Sequence, residues 1–283
     1  MKNLLIEFIP PFFLKYFLKK KKSKQISEHH LKTFSDYNSA KQYGNYEDSR
    51  IVEVVVRKTK NIIKNIDKNS PLSPQIVQNL FVLKSIHQHE PSKYFQVMEI
   101  GGACGANFFQ QKSFMETYIK KWMIVETKLM CEGAISSDIA DNMLEFHPEL
   151  DTACKKNNYP DICVLQGALQ YIENPILYLK DLFKYNFKWI YLSRLPLMLN
   201  NNESVVSLDK TLLQDHGPGK LTVEKNEIIY TPITFIPYNL LKSAFKNYQY
   251  KIFYEIDESA EYAVQKENTS IKLINKAFLF CKL

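Results

Sequence analysis

The sequence has few cysteines, and their spacing excludes two common kinds of small scaffold. Five cysteines occur among 283 residues, an odd number with no Cys-x-x-Cys pair. Neither a disulfide framework nor a metal site follows from that pattern. Cys104 falls in a glycine-rich turn, whereas Cys163 and Cys281 fall in apolar runs. We therefore expect small core residues in a protein of the reducing cytoplasm.

Excess charge is also missing from most of the chain. The formal net charge is +7, but residues 1–24 hold seven lysines against one glutamate. The rest of the chain therefore carries a net charge of only +1. A nucleic-acid-binding protein needs a basic stripe on its folded body, so no nucleic-acid partner is expected.

Residues 1–24 form an apolar and basic N-terminal segment without the features of a signal peptide. Its lysine run follows the apolar residues, and no small-residue cleavage site is present. Glu7, Pro10, Pro11 and Lys15 interrupt the apolar run, which is too short to cross a bilayer. Two interpretations stay open: peripheral contact with an anionic membrane surface, or a helix packed on the protein's own core.

The rest of the chain divides into a helical lead-in, residues 25–90, and an α/β domain, residues 91–283. In the lead-in, residues 25–50 are polar and predict an irregular connection, followed by helices over 51–66 and 74–87. From Tyr94 onward, strand patterns alternate with helix patterns. The predicted strands cover 95–100, 122–126, 143–147, 161–166 and 188–193, and the helices between them 106–120, 129–139, 149–156 and 175–185.

This alternation predicts a Rossmann-like, doubly wound sheet with mostly parallel strands. The stretch 199–232 is interpreted as loop-rich, and a helix follows at 237–245. Two last strands, 250–255 and 277–282, are joined without a helix, which predicts an antiparallel terminal strand closing the sheet.

The first motif with chemical meaning is Glu99-Ile-Gly-Gly-Ala-Cys-Gly105, between a predicted strand and a predicted helix. Glycines let the backbone turn tightly and approach a ligand, and a helix N-terminus favours electron-rich groups. The spacing Gly-x-Ala-x-Gly differs from the Gly-x-Gly-x-x-Gly of NAD-binding proteins. A purely structural turn remains the alternative.

Two further features are predicted to lie at the same edge of the sheet. Glu126 ends the second strand, where a carboxylate can accept hydrogen bonds from both ribose hydroxyls. Residues 166–175 follow the fourth strand, and the carboxyl ends of parallel strands face one crevice. A solvated glutamate at a strand end is the alternative for Glu126.

These motifs together resemble the class I S-adenosylmethionine-dependent methyltransferases. More narrowly, the chain is similar to a methyltransferase family encoded among bacterial surface-polysaccharide genes, over most of its length. The resemblance rests on an apolar Pro-Pro N-terminus, Glu99–Gly105, Trp122-x-x-Val-Glu126, Leu144-x-Phe-His147, Gly167-x-Leu-Gln-Tyr171, Arg194-x-Pro196, and Gln214 upstream of Tyr230. The family usually has glycine at the position of Ala103 and aspartate at that of Glu99.

The resemblance implies S-adenosylmethionine as cofactor and a small-molecule or glycan acceptor, in surface glycan biosynthesis. The glycine turn would hold the methionine part and Glu126 the ribose, with Phe146 and His147 near adenine and Gln166 and Gly167 beside the sulfonium. The cofactor-binding residues are thus expected to be Glu99, Gly101, Gly102, Ala103, Gly105, Glu126, Phe146, His147, Gln166 and Gly167.

On the acceptor side, an oxygen nucleophile would need a base, for which His216, Asp215 and His147 are candidates. Arg194, at the end of a strand, is a candidate for holding an acidic group of the acceptor. His216 as an ordinary surface histidine is the alternative.

Two other functions stay open: a non-catalytic scaffold of a glycan assembly system, and an NAD-dependent sugar-modifying enzyme. The glycine spacing and the lack of a Tyr-x-x-x-Lys pair near the third crossover disfavour the latter.

Overall fold

A computed structural model describes residues 32–66, 71–221, 226–266 and 269–283. The N-terminal segment 1–24, with its predicted membrane contact, lies outside the described residues. The strands are β1 (Thr33–Phe34), β2 (Phe95–Ile100), β3 (Ile119–Val125), β4 (Leu144–His147), β5 (Ile162–Gln166), β6 (Trp189–Met198), β7 (Val205–Leu212), β8 (Ile228–Pro237), β9 (Tyr250–Lys266) and β10 (Thr269–Lys282). The helices are α1 (Tyr37–Lys41), α2 (Ser49–Asn65), α3 (Pro74–His89), α4 (Ala106–Met115), α5 (Lys128–Ser136), α6 (Leu150–Lys156), α7 (Pro175–Phe183) and α8 (Tyr238–Asn247).

Five parallel strands form the centre of the sheet in the order β4-β3-β2-β5-β6. The strand that comes first in this series lies in the middle, and the chain winds outward from it in both directions. This is the doubly wound, Rossmann-like arrangement predicted from the sequence, with its topological switch point between β2 and β5. Ligands of such sheets bind at the carboxyl ends of the strands beside that point.

The last two strands form an antiparallel hairpin, as predicted. β10 pairs antiparallel with β6 on one side and with β9 on the other. The antiparallel strand is therefore internal, and β9 is the outer strand of the sheet. Both strands are much longer than predicted, because their polar residues continue the pairing beyond the apolar segments 250–255 and 277–282.

Helices cover both faces of the sheet, which divides the core into two layers. One layer packs α2, α3, α4 and α5 against the sheet, with Ile51, Val82, Phe108 and Met130 among its buried side chains. The other packs α6, α7 and α8 through Ala153, Leu179 and Leu241. The lead-in helices α2 and α3 thus share their core with the sheet. Ser73 caps α3 by accepting a hydrogen bond from the Ile76 N–H, with Pro74 at the first helical position, as predicted.

The prediction of a loop-rich stretch over residues 199–232 is wrong, because β7 and the first half of β8 occupy part of it. These two strands pair antiparallel and are joined to β1 at one edge. Asp209 and Lys210 interrupt the apolar pattern of β7, and Pro232 interrupts that of β8, so neither segment has a typical strand sequence. Residues 25–50 were predicted to be irregular, but β1 and α1 lie within their described part.

We call β1, α1, β7 and β8 the cap, because their position covers one end of the central sheet. β6 pairs with β5 over Trp189–Ser193, whereas beyond the end of β5 it pairs with β8 through Leu197 and Met198. β10 lies on the other side of β6 along its whole length. The cap therefore stands above the carboxyl end of β5, beside the switch point.

The cysteines are small core residues, as predicted. Four of them are buried, namely Cys104, Cys131, Cys154 and Cys163, and Cys281 is half-buried. All five are free thiols, and burial raises the pKa of each, to about 12 for Cys104 and Cys154 and about 11 for Cys131. Among the described residues, no helix is both long enough and apolar enough to span a bilayer.

Candidate active site

The glycine turn after β2 has a backbone that side chains rarely tolerate. Gly101 and Gly105 have φ values of +72° and +76°, in the left-handed region. A Cβ added to Gly101 would lie 2.5 Å from the Cβ of Ala168, and one added to Gly105 would lie 2.9 Å from a methyl group of Leu144. Ala103 also has a positive φ, +51°, which is costly for a residue with a Cβ. The turn is therefore a close-packed junction between β2, β5 and α4.

Glu126 joins this turn to the end of β3. Its Oε1 accepts a hydrogen bond from the Ala103 N–H at 2.9 Å, and its Oε2 accepts one from the Thr127 N–H at 2.8 Å. The residue is only 8% exposed. Burial raises the pKa of the carboxyl group, and the two backbone hydrogen bonds oppose that rise by favouring the charged form. Each carboxylate oxygen keeps a further lone pair for a ligand hydroxyl.

Glu99 lies beneath the same turn. Its Oε2 accepts a 2.9 Å hydrogen bond from the indole N–H of Trp122. Burial raises the pKa of Glu99 to about 7. A Cβ at Gly102 would approach this carboxyl group to 2.8 Å, so a larger residue there would displace the Glu99 side chain or shift the turn.

Phe146 and His147, at the end of β4, have different surroundings. A Cβ at Gly105 would lie 3.7 Å from the Phe146 Cζ, so the phenyl ring borders the turn. The Nε2 of His147 instead lies 3.1 Å from Glu145 Oε2. Burial lowers the pKa of His147 and thus favours a neutral ring near pH 7. The structure brings Phe146 to the glycine turn and His147 to Glu145.

At the end of β5, Gln166 and Gly167 adjoin Arg194 of β6. The Arg194 guanidinium donates a hydrogen bond from Nη2 to the Gln166 carbonyl, and a Cβ at Gly167 would lie 3.1 Å from the Arg194 Cζ. Gly167 has a φ of +68°, which glycine adopts without strain, and its lack of a side chain also leaves room for the Arg194 guanidinium. The side-chain oxygen of Gln166 accepts from Asn79 of α3, which fixes the amide.

Tyr46, between α1 and α2, lies beside these groups, at the edge of the sheet where the ligand crevice is expected. Its ring packs against the core layer that contains Ala103 and Cys104. Burial raises the pKa of Tyr46, and the nearby Glu126 carboxylate adds to that rise. On its other side, the ring lies 6.4 Å from that of Tyr171, measured between centroids. The sequence did not indicate this residue, because it comes from a polar segment far from every motif.

The cap side of the crevice contains a second group that the sequence analysis did not assign. Tyr171 donates a 2.6 Å hydrogen bond from its hydroxyl to Asp209 of β7. Its backbone carbonyl accepts another from the Tyr37 hydroxyl, also at 2.6 Å. Tyr171 belongs to the Leu-Gln-Tyr motif, but its partners depend on cap strands that the sequence did not predict.

His216 and Asp215 lie in the segment that connects β7 to β8. The ring of His216 is 6.0 Å from that of Tyr46, and its Nε2 lies 3.1 Å from the Thr211 hydroxyl oxygen. His216 is therefore buried, and not the ordinary surface histidine that was the alternative. Burial lowers its pKa. Asp215 is exposed.

The structure thus assembles most of the predicted site residues along the carboxyl-end edge of the five parallel strands. Glu99, Gly101, Gly102, Ala103, Gly105, Glu126 and Phe146 surround the glycine turn, and Gln166, Gly167 and Arg194 form a second group beside it. His147, Asp215 and His216 lie further out. A glycine cradle beside a buried carboxylate can hold the polar part of a nucleoside, and the cap closes the opposite side.

Comparisons with known proteins identify no family for this chain. No family model matches the sequence, and no curated protein matches it either. Solved structures with a similar fold include the CcbJ methyltransferase from Streptomyces caelestis, with a TM-score of 0.48 at 8% identity, covering 83% of this chain and all of the other. An S-adenosylmethionine-dependent methyltransferase from Clostridium acetobutylicum has a TM-score of 0.44 at 11% identity, covering 75% of this chain and 93% of the other. One from Methanosarcina mazei has a TM-score of 0.44 at 13% identity, covering 70% and 97%.

Proposed function

We propose that this chain binds S-adenosylmethionine at the carboxyl ends of β2, β3 and β5 and catalyses transfer of its methyl group. The observation that carries the proposal is the hydrogen bond between the Ala103 N–H and Glu126 Oε1, next to the switch point of a doubly wound sheet. It joins a close-packed glycine turn to a buried carboxylate, the pair that a nucleoside with a ribose diol requires.

The residues of the crevice fit this cofactor. Side-chain atoms at Gly101, Gly102 or Gly105 would clash with their surroundings, so the turn can present its bare backbone to the ligand. The free lone pairs of Glu126 can accept hydrogen bonds from ribose hydroxyls. Phe146, at the border of the turn, offers an apolar surface for the adenine. The bound cofactor would supply a methyl group activated by an adjacent sulfonium.

The chain's own contribution to the reaction is positioning. An acceptor that enters between the crevice and the cap would meet Arg194, Tyr46 and Tyr171 before it reached the glycine turn. Holding two reactants in line can account for a large part of a rate enhancement. An oxygen acceptor must also lose a proton, for which His216 and His147 are neutral candidates near pH 7. We propose no direct role for Asp215 beyond its electrostatic effect on His216.

For the acceptor we propose a sugar or a related small molecule, in the synthesis of a cell-surface glycan. Its support is the sequence resemblance described above and the aromatic and polar lining of the cap side. A cytoplasmic enzyme that contacts the inner membrane surface through residues 1–24 fits such a role, because that segment combines aromatic residues with a lysine cluster.

The test is calorimetric titration of the full chain with S-adenosylhomocysteine and, separately, with NAD. We expect binding of the first and none of the second. Transfer of a labelled methyl group to candidate glycans then tests catalysis. The second candidate function, a scaffold that keeps the ligand without turnover, is favoured by the hydrogen bonds that already engage Tyr171 and His216. Binding without turnover on any acceptor would support the scaffold.

A further inference from the structure

β6 contains a bulge at the point where it passes the crevice. In its pairing with β10, Leu195 faces Lys276 and Leu192 faces Phe278, so Ser193 and Arg194 together oppose one residue. Arg194 adopts a φ of +52°, which is unusual for a residue with a side chain. Bulges of this kind re-aim a side chain, and they are frequent beside active sites.

Glu258 of β9 holds this bulge in place. Its Oε2 accepts a 2.6 Å hydrogen bond from the Arg194 backbone N–H, which the bulge removes from regular strand pairing. Its Oε1 accepts a 3.0 Å hydrogen bond from the side-chain amide of Gln78 on α3. Gln78 also donates to the Tyr191 hydroxyl at 3.0 Å. Hydrogen bonds between β9, α3 and β6 therefore fix the backbone conformation of Arg194.

Among the side chains that the structure describes, the Arg194 guanidinium has no acidic partner, unlike the other two arginines. Arg50 is paired with Asp48 and Glu227, and Arg57 with Glu53. No carboxylate oxygen of the described residues lies within 4.0 Å of the Arg194 guanidinium, whose one hydrogen bond goes to the Gln166 carbonyl. A guanidinium has five N–H donors, so most of them stay available. Arg194 is exposed.

We propose that Arg194 binds an oxyanion of the acceptor, a carboxylate or a phosphate, and that Glu258 is the positioning residue for this contact. The inference rests on the proposed function for the identity of the acceptor. A planar guanidinium fixed over Gly167 presents parallel N–H groups that match two oxygens of such an anion. The Arg194 backbone lies two strands from the glycine turn, about 10 Å across the sheet, and its guanidinium lies beside Gly167, on the side that the cap covers. We assign it to the acceptor and not to the nucleoside.

The first experiment measures how inorganic phosphate shifts the melting temperature of the full chain, with and without saturating S-adenosylhomocysteine. Ionic strength is matched with sodium chloride, because general screening also changes stability. We expect phosphate to stabilise the wild type, and Arg194→Gln to weaken its binding about tenfold or more. Arg57→Gln, an exposed arginine with its own acidic partner, should behave as the wild type. Absence of a shift in the wild type, or an equal shift in Arg194→Gln, overturns the proposal.

Arg194→Gly is a second variant for the case that Arg194→Gln fails to fold, because glycine adopts the φ of residue 194 without strain. It should retain the wild-type melting temperature or exceed it, and still lose the phosphate shift. Retention of the shift would contradict the proposal.

The second experiment separates the acceptor from the cofactor as the source of the anion. S-adenosylhomocysteine carries an amino-acid carboxylate, whereas methylthioadenosine lacks it. We expect Arg194→Gln to leave the affinity for both compounds unchanged. A selective loss of S-adenosylhomocysteine binding would show that Arg194 holds the cofactor's carboxylate, and the inference would be wrong. Failure of the wild type to bind either compound would overturn the proposed function instead, and the phosphate titration would still test the anion site.

The positioning role of Glu258 has its own test. In Glu258→Gln the amide oxygen can still accept from the Arg194 N–H, so phosphate binding should be close to that of the wild type. Glu258→Ala removes the acceptor and should weaken phosphate binding severalfold. A purely structural role would lower the melting temperature in Glu258→Ala without changing the phosphate midpoint, and that result would contradict the positioning role.

Discussion

The backbone N–H of Ala103 points at Oε1 of Glu126, 2.9 Å away and 23 residues later in the chain. The carboxylate thus stabilises the strained turn by a hydrogen bond, and it lies where a cofactor's ribose is expected. Because Ala103 has a positive φ, this hydrogen bond helps to offset a conformation that alanine disfavours. One side chain therefore both shapes the turn and remains available for a ligand.

We predict that Glu126→Gln lowers the affinity for S-adenosylhomocysteine about tenfold or more. The amide has one good acceptor oxygen, and its NH₂ group would face either the Ala103 or the Thr127 N–H, donor against donor. Titration calorimetry measures the affinity, and a melting curve of the free protein reports any loss of stability. Glu132→Gln, on the exposed side of α5, is the matched control and should bind as the wild type. Unchanged affinity in Glu126→Gln would rule out the ribose role.

We predict that Glu99 makes the protein less stable as the pH rises from about 4.5 towards 7. Burial raises the pKa of Glu99 from 4.5 to about 7, so in this window the folded state holds a proton that the unfolded state has lost. Stability therefore falls with rising pH, by up to about 1.4 kcal/mol per pH unit. Glu99→Gln removes this titration and can still accept the Trp122 N–H.

Chemical denaturation at several pH values tests the prediction for Glu99. The free energy of unfolding of Glu99→Gln minus that of the wild type should increase between pH 5 and pH 7. Exposed Glu116→Gln should show no such trend. A constant difference for Glu99→Gln would mean that Glu99 ionises normally in the folded protein.

We predict that Gly101→Ala destabilises the protein by about 1–3 kcal/mol. The new methyl group would lie 2.5 Å from the Ala168 Cβ, and the φ of +72° is unfavourable for alanine. The double variant Gly101→Ala/Ala168→Gly removes the clash and leaves the backbone strain. A double-mutant cycle based on denaturation midpoints then separates the two contributions. If the double variant recovers no stability beyond additivity, the close contact is not the cause.

We predict that deletion of residues 1–24 leaves a folded protein that no longer sediments with anionic vesicles. Seven lysines lie among the removed residues, and their attraction to the membrane should weaken with salt in the full chain. Replacing the four lysines at 19–22 by glutamine keeps the apolar residues and should reduce binding without abolishing it. Unfolding of the truncated protein would show that the segment belongs to the core.

The central sheet was predictable because each of its strands has a local signature. β2, β5 and the first half of β6 are apolar runs bounded by turn residues or helices. Such a run can be recognised in the sequence without knowing which strands it pairs with. The glycine turn, Glu126 and residues 166–167 could be placed at one edge for the same reason, since parallel strands bring their carboxyl ends together.

The cap and its residues could not be predicted in the same way. β7 and β8 contain Asp209 and Pro232, and their pairing depends on contacts far apart in sequence. Tyr46 comes close to the site only because the segment before α2 packs against Tyr171 and His216, which are far from it in sequence. The bulge at Arg194 depends on the register of β6 against β10, which no local pattern specifies.

The reactivity of the buried cysteine thiols can report how often the folded protein opens locally. A thiol reagent attacks the thiolate, and the raised pKa values leave almost none of it near neutral pH. Labelling must therefore wait for a fluctuation that exposes the sulfur, so its rate measures how often that part of the protein opens. Cys104 lies in the glycine turn and Cys163 in β5. If Cys104 is modified faster than Cys163, the glycine turn opens locally more often than the sheet does. A cofactor that binds at the turn should then slow the modification of Cys104 and leave that of Cys163 unchanged.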